Sequence, residues 1–178
     1  FSDSVELHTR ARSTTAHQKF LYGELEKLLL PIGSDVHKKT LAADALHRIS
    51  DNIHKRSLVV VFSDMFESNA NTDELFRALQ HLRHNKHEVV LFHVVDQDRE
   101  IDFNFENRPY KFIDMESGQE LKIHPNEVKE QYIKSVKEFK KELQLRCGQY
   151  RIDFVEADIN KGFKQVLLPY LLKREKLF

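Results

Sequence analysis

A chain of 178 residues, 40% hydrophobic and 31% charged, has room for one domain with a substantial core and little room for two. Its 28 Lys and Arg balance 28 Asp and Glu, which argues against a dedicated nucleic-acid binder and gives no general attraction to an anionic membrane surface. One cysteine, Cys147, excludes an intramolecular disulfide, and no apolar run approaches the roughly 20 residues that span a bilayer; a soluble protein of a reducing, cytoplasmic compartment without membrane insertion is expected.

The chain begins Phe1-Ser2-Asp3-Ser4, with neither an initiator Met nor a charged-then-apolar leader, and reads as a fragment. Weak alternation at Val5 and Leu7 suggests a short edge strand or hairpin arm. A helix is predicted from about Thr14, carrying Phe20, Leu21, Leu25 and Leu28 and stopped by Pro31 and Gly33. The next runs from about Thr40 to Lys55, with Leu41, Ala45, Leu46, Ile49 and Ile53 on one stripe. Ser57-Leu58-Val59-Val60-Val61-Phe62-Ser63 is a continuous apolar run, the pattern of a parallel strand covered on both faces. After Asp64-Met65-Phe66-Glu67, Asn71 or Thr72 is expected to cap a helix bearing Leu75, Phe76, Leu79 and Leu82. A second buried strand spans Glu88 to Val95 and ends at Asp96.

Residues 97–124 break this alternation. Ile101, Phe103 and Phe105 alternate with polar residues, and Tyr110 to Ile123 reads as a hairpin turning at Glu116-Ser117-Gly118-Gln119; residues 100–124 are taken as a hairpin insertion in a single domain spanning 1–178. A long helix follows from Pro125 to about Leu145, with Val128, Tyr132, Val136, Phe139 and Leu143 inward and Gly148 as its stop. Ile152 to Glu156 is the last strand. Phe163 to Lys173 is the last helix, with Val166, Leu167, Tyr170 and Leu171 facing in. From residue 40 onward strand and helix alternate, which predicts an α/β fold: a mostly parallel, Rossmann-like sheet with helices on both faces.

In such sheets function gathers at the carboxyl ends of the strands, and each strand here ends in an acidic stretch: Asp64 to Glu67, Asp96 to Asp98, and Asp158 to Lys161. A strand-end carboxylate can hold a hard divalent cation. It can equally cap the next turn by accepting backbone N–H groups, and spacing alone favours the cap. Thr40 likewise reads as a helix N-cap or as a hydroxyl ligand facing the same crevice as Asp64.

The stretches Lys39-Thr40-Leu41-Ala42-Ala43-Asp44-Ala45-Leu46-His47-Arg48-Ile49 and Lys55-Arg56-Ser57-Leu58-Val59-Val60-Val61-Phe62-Ser63-Asp64 resemble the middle of a von Willebrand factor A-like domain. More closely, they are similar to the bacterial family called domain of unknown function 58. His84-Asn85-Lys86-His87-Glu88-Val89, Phe112-Ile113-Asp114-Met115-Glu116-Ser117-Gly118 and Tyr170-Leu171 fit the same pattern. The resemblance implies a metal-ion-dependent adhesion site, with Thr40 and Asp64 as metal positions and Glu67 and Asp96 at its rim. That site also requires an Asp-x-Ser-x-Ser loop after a first strand, which would precede Phe1; the domain is therefore expected to lack its first strand. The site in this fragment is expected to be incomplete and without cofactor, with Mg²⁺ bound only by the intact protein. The resemblance further implies a non-enzymatic, protein-interaction role beside a MoxR-type AAA+ ATPase. A sheet missing a strand is also a surface for self-association.

The rival class is a Mg²⁺- or Mn²⁺-dependent hydrolase or phosphoryl-transfer enzyme using Asp64, Glu67 and Asp96. Only 5 glycines, no Gly-rich phosphate loop and no Gly-x-Ser-x-Gly elbow are present, which argues against it. Among ten histidines, His81 and His84 lie three apart and His84 and His87 bracket a helix end. No cysteine joins them and no His-Glu-x-x-His occurs, so structural or solvated roles are favoured over zinc. Basic stretches at Lys137–Lys141 and Lys173–Lys176 are interrupted by Glu138 and Glu175, the pattern of a solvated helix face rather than a nucleic-acid surface.

Overall fold

The computed structural model describes residues 7, 9–10, 12–29, 42–54, 56–65, 69–113 and 119–176. In chain order the elements are α1 (Thr15–Lys27), α2 (Ala42–Asn52), β1 (Leu58–Ser63), α3 (Asn69–His84), β2 (Glu88–Val95), a short π-helical turn (Gln97–Ile101), β3 (Tyr110–Ile113), β4 (Glu120–Ile123), α4 (Pro125–Gln149), β5 (Asp153–Asp158) and α5 (Phe163–Glu175). The fold is α/β, as the alternation predicts. β1, β2 and β5 form a parallel sheet in that order, with Leu58 opposite Glu88 and Val90 opposite Asp153. None of the helices among the described residues is long and apolar enough to cross a membrane.

The strict alternation of the strands sorts the core into two layers. One sheet face carries Val59, Val61, Val89, Leu91 and Phe154; these pack with Leu46 of α2, Leu75, Leu79 and Leu82 of α3, and Leu143 and Cys147 of α4. The other face meets α5: Tyr170 sets its ring edge against Phe92 (centroids 5.5 Å, 73° apart), Arg174 grips Glu88 through both guanidinium nitrogens, and Lys173 reaches Asp153 at 2.8 Å. Cys147 is fully enclosed, and burial pushes its thiol up to about 12.

Several sequence expectations change at the level of packing. β1 was expected to be covered on both faces. Instead its Leu58, Val60 and Phe62 are 44%, 43% and 62% exposed, while α5 sets Tyr170 and Arg174 against β2 and Lys173 against β5. A continuous apolar run reports strand preference equally for a central and a marginal strand. α3 begins at Asn69, before the caps expected at Asn71 or Thr72, since several small polar residues in a row compete as helix starts. Gly148 does not end α4, which continues to Gln149. The reversal is made by Arg151 at φ 55°, with Ile152 N donating to Cys147 O at 2.8 Å; Arg151 thus takes the left-handed position that glycine usually fills. In α5, Leu171 faces outward at 55% exposure and no residue is fully buried. Pro31, Gly33, Leu41, Lys55 and the hairpin tip at Glu116-Ser117-Gly118 lie outside the described residues, as do Val5 and the proposed first edge strand.

The hairpin is a separate two-stranded antiparallel sheet, Tyr110 opposite Ile123. It is seated by rings: Phe103 contacts Phe105, Phe112 and Tyr132 of α4, with centroids 4.4 to 6.3 Å apart. The π-helical turn before it was not foreseen. Its Ile101 packs with Val95 and Val136, so the turn anchors the hairpin region onto the end of β2.

Candidate functional site

Three parallel strands bring their carboxyl ends to one edge, and with them Asp64, Asp96 and Asp158. The local chemistry of the three differs. Asp96 follows β2 and caps the π-helical turn: its Oδ1 accepts from the backbone N–H of Asp98 and Arg99, both at 3.1 Å. Glu100 Oε2 reaches back to accept from Asp96 N at 2.9 Å, a reciprocal cap. Asn160, just past β5, donates its amide to Asp96 Oδ1 at 2.8 Å. The Arg99 N–H and the Asn160 amide hold the Asp96 carboxyl below its ordinary range.

Asp158 is 6% exposed. Burial pushes its carboxyl up, but the N–H groups of Asn160 and Gln97 and the Lys161 ammonium outweigh this and hold it low. Asp158 Oδ1 accepts from Asn160 N at 3.1 Å and Gln97 N at 3.4 Å, and Lys161 Nζ lies 3.4 Å from Oδ2. Asp96 and Asp158 are therefore joined through Asn160 into one polar clasp that ties the β2 exit to the β5 exit.

Asp64 is exposed at the end of β1, on a loop fixed from below. The ring Nε2 of the buried His93 lies 3.0 Å from the Asp64 carbonyl oxygen, Met65 N donates to Ser63 Oγ at 3.0 Å, and Met65 turns inward at φ 59° to become 1% exposed. Burial is the largest influence on His93 and lowers its pKa. Thr40 and Glu67 lie outside the described residues. Mg²⁺ prefers a near-octahedral set of oxygens. Among the described residues no group of three or more His, Cys, Asp or Glu side chains is placed to hold a metal ion, and Asp96 and Asp158 are spent on backbone N–H groups. The described residues at this edge alone do not supply a Mg²⁺ ligand set.

The sequence reading did not find His93, Asn160, or a contact between His47 of α2 and His81 of α3, whose Nδ1 atoms are 3.1 Å apart. Those two histidines are 34 positions apart and meet only through packing of their helices. The hydrophobic stripe of α2, which puts His47 beside Leu46 at the α3 boundary, is the signal that could have located one of them.

Titration of these groups gives a pH prediction. The folded-state pKa of His93 is depressed from its ordinary 6.5, so below that pH the unfolded chain takes up a proton that the folded one refuses. Stability is full above pH 6.5 and falls as pH drops, with a slope for one proton of at most about 1.4 kcal/mol per pH unit. Asp96 and Asp158 are depressed from 3.8, so their contribution is present above that value and is lost as pH falls further. Urea midpoints measured from pH 8 to 3 should show both windows, and His93→Gln should flatten the upper one.

The parallel sheet, its helices on both faces and the acidic carboxyl edge define an α/β protein of the Rossmann-like kind. The model of the DUF58 family, described as a protein of unknown function, matches residues 1–142. The chain belongs to the DUF58 family. Compared with curated proteins and with solved structures, it matches none.

Proposed function

We propose that this chain is a non-enzymatic protein-interaction module of the von Willebrand A-like type, engaging its partner along the margin of β1. One observation carries the reading: Leu58, Val60 and Phe62 stand side by side at 44%, 43% and 62% exposure on a strand that, among the described residues, pairs with β2 alone. A contiguous apolar strip beside an open strand edge favours a partner over water. The partner we favour, on the family resemblance, is a MoxR-type AAA+ ATPase in the cytoplasm; self-association through the same edge is the competing occupant. Asp64, exposed a few residues from this strip, would give the interaction its metal dependence in a protein that also carries the Asp-x-Ser-x-Ser loop, with Thr40 as co-ligand and Glu67 and Asp96 at the rim.

Val60→Lys tests the surface without removing the Phe62–Phe92 stacking. Titrated calorimetrically against the MoxR-type ATPase of the same genome, the unaltered chain should bind and Val60→Lys should bind at least tenfold more weakly. Asp64→Ala should abolish any Mg²⁺ dependence. Equal affinity for the Val60→Lys protein would remove the β1 margin from the interface. Absence of binding by the unaltered chain, with dimers in sedimentation, would assign the strip to self-association.

A further inference from the structure

We infer that His47 and His81 form a transition-metal site that staples α2 to α3. The two rings face each other across the helix pair with centroids 5.3 Å apart and planes at 42°, and with Nδ1 to Nδ1 at 3.1 Å. Two nitrogens on one tetrahedral Zn²⁺, each about 2.0–2.1 Å from the metal, stand about 3.3 Å apart. Admitting an ion therefore requires the rings to part by only a few tenths of an ångström.

The surroundings of His81 set the protonation of the free pair. Asn85 Nδ2, which donates to Ser50 Oγ at 2.8 Å, also lies 3.4 Å from His81 Nε2, so that nitrogen accepts and His81 carries its proton on Nδ1. The Asp51 carboxylate stands further off, 3.8 Å from the same nitrogen. Without metal, His81 Nδ1–H donates to His47 Nδ1; when an ion enters, that proton moves to His81 Nε2, on the side of Asp51, and both neutral rings ligate through Nδ1. A carboxylate behind a ligating histidine is the usual outer support of such sites, fixing the tautomer and raising ligand basicity. The His81 side chain is 35% exposed, so water can complete the coordination shell. Imidazole ligands select a borderline divalent ion (Zn²⁺, Ni²⁺ or Cu²⁺) over Mg²⁺ or Ca²⁺. The site is thus independent of the proposed Mg²⁺ chemistry at Asp64.

The test is calorimetric titration of the chelator-treated chain with Zn²⁺ and, separately, Ni²⁺ at pH 7.5. One equivalent should bind, and His47→Gln and His81→Gln should each weaken binding at least tenfold. His84→Gln, one turn further along α3 and exposed, should bind as the unaltered chain does. Because the ion binds only the folded state, Tm should rise by about 5–10 °C at a hundredfold excess over Kd. Nitrogen-15 spectra of the unaltered chain, which depend on no variant folding, should show the Nδ1 signals of His47 and His81 alone moving to the metal-bound range. No binding by the unaltered chain, equal binding by His47→Gln and His81→Gln, or movement of other histidines instead would overturn the site.

Discussion

Phe92→Ala is expected to lower stability by about 3–5 kcal/mol, the range for emptying a buried phenylalanine site. For a chain of this size that is a fall in Tm of about 6–20 °C. Phe92 is 2% exposed at the centre of β2. Its ring stacks on Phe62 of β1 at 4.8 Å and 12°, and receives the edge of Tyr170 from α5. Among the described residues, no other on this sheet face touches both neighbouring elements through ring packing. The ion pairs that also hold α5, Arg174 with Glu88 and Lys173 with Asp153, are half-exposed or exposed, so solvent screens them and they contribute little. Since α5 buries none of its residues fully, the aromatic contact is its main anchor. Hydrogen exchange should therefore show α5 amides losing protection before those of β2. A loss below about 1 kcal/mol in urea unfolding would mean that the ion pairs, not the ring, seat the helix.

The sequence made most of this sheet legible and little of its edges. Val89 to Val95 is apolar but for His93 because both faces of β2 are largely buried, and here the pattern and the packing agree. Leu58 to Phe62 is just as apolar, yet one face is open. Periodicity measures what a segment is made of, while coverage depends on where α5 lands, and that landing is set by Tyr170 and Arg174 finding partners 78 and 86 positions earlier and Lys173 one only 20 positions earlier. The helix ends show the same division. The helix start expected at about Thr14 falls at Thr15, with Thr14 as a cap that acts locally, its Oγ1 accepting from His17 N at 3.3 Å. Gly148 was misplaced because Arg151 accepts the strained conformation in its stead.

The acidic strand ends were found for a sound reason and then divided by structure. Parallel strands must deliver Asp64, Asp96 and Asp158 to a common edge, so their co-location follows from the fold alone. What each carboxylate does there depends on neighbours that pattern cannot supply. Glu100 and Asn160 commit Asp96 to a cap, and Asn160, Gln97 and Lys161 commit Asp158 to the clasp. His93, reaching the Asp64 backbone from the adjacent strand, fixes the loop that presents Asp64. It reads in the sequence as one more residue of an apolar run.

Leu79→Ala probes the opposite layer, with an expected cost of about 3–5 kcal/mol. Leu79 is 0% exposed in α3, enclosed with Leu46, Leu82, Leu91 and Leu143, so the vacated space borders three elements and collapse around it is hindered. Unlike Phe92, it anchors no helix that stands apart. α2, α3, β2 and α4 share this cluster, and their probes should shift together with the urea m-value unchanged. Cys147 supplies the readout, since its enclosed thiol is inert until the layer opens. When opening is fast and reversible, thiol labelling tracks the open population, and a loss of 3–5 kcal/mol should accelerate it by about two to three orders of magnitude or more. Zn²⁺ bound between His47 and His81 acts on this same layer and should slow the labelling of Leu79→Ala in proportion to occupancy. If Leu79→Ala unfolds in two steps, with Cys147 exposed in the first while β1 and β2 remain paired, the helical layer is a separate cooperative unit. A metal staple across α2 and α3 would then control that layer and leave the sheet margin at β1 untouched.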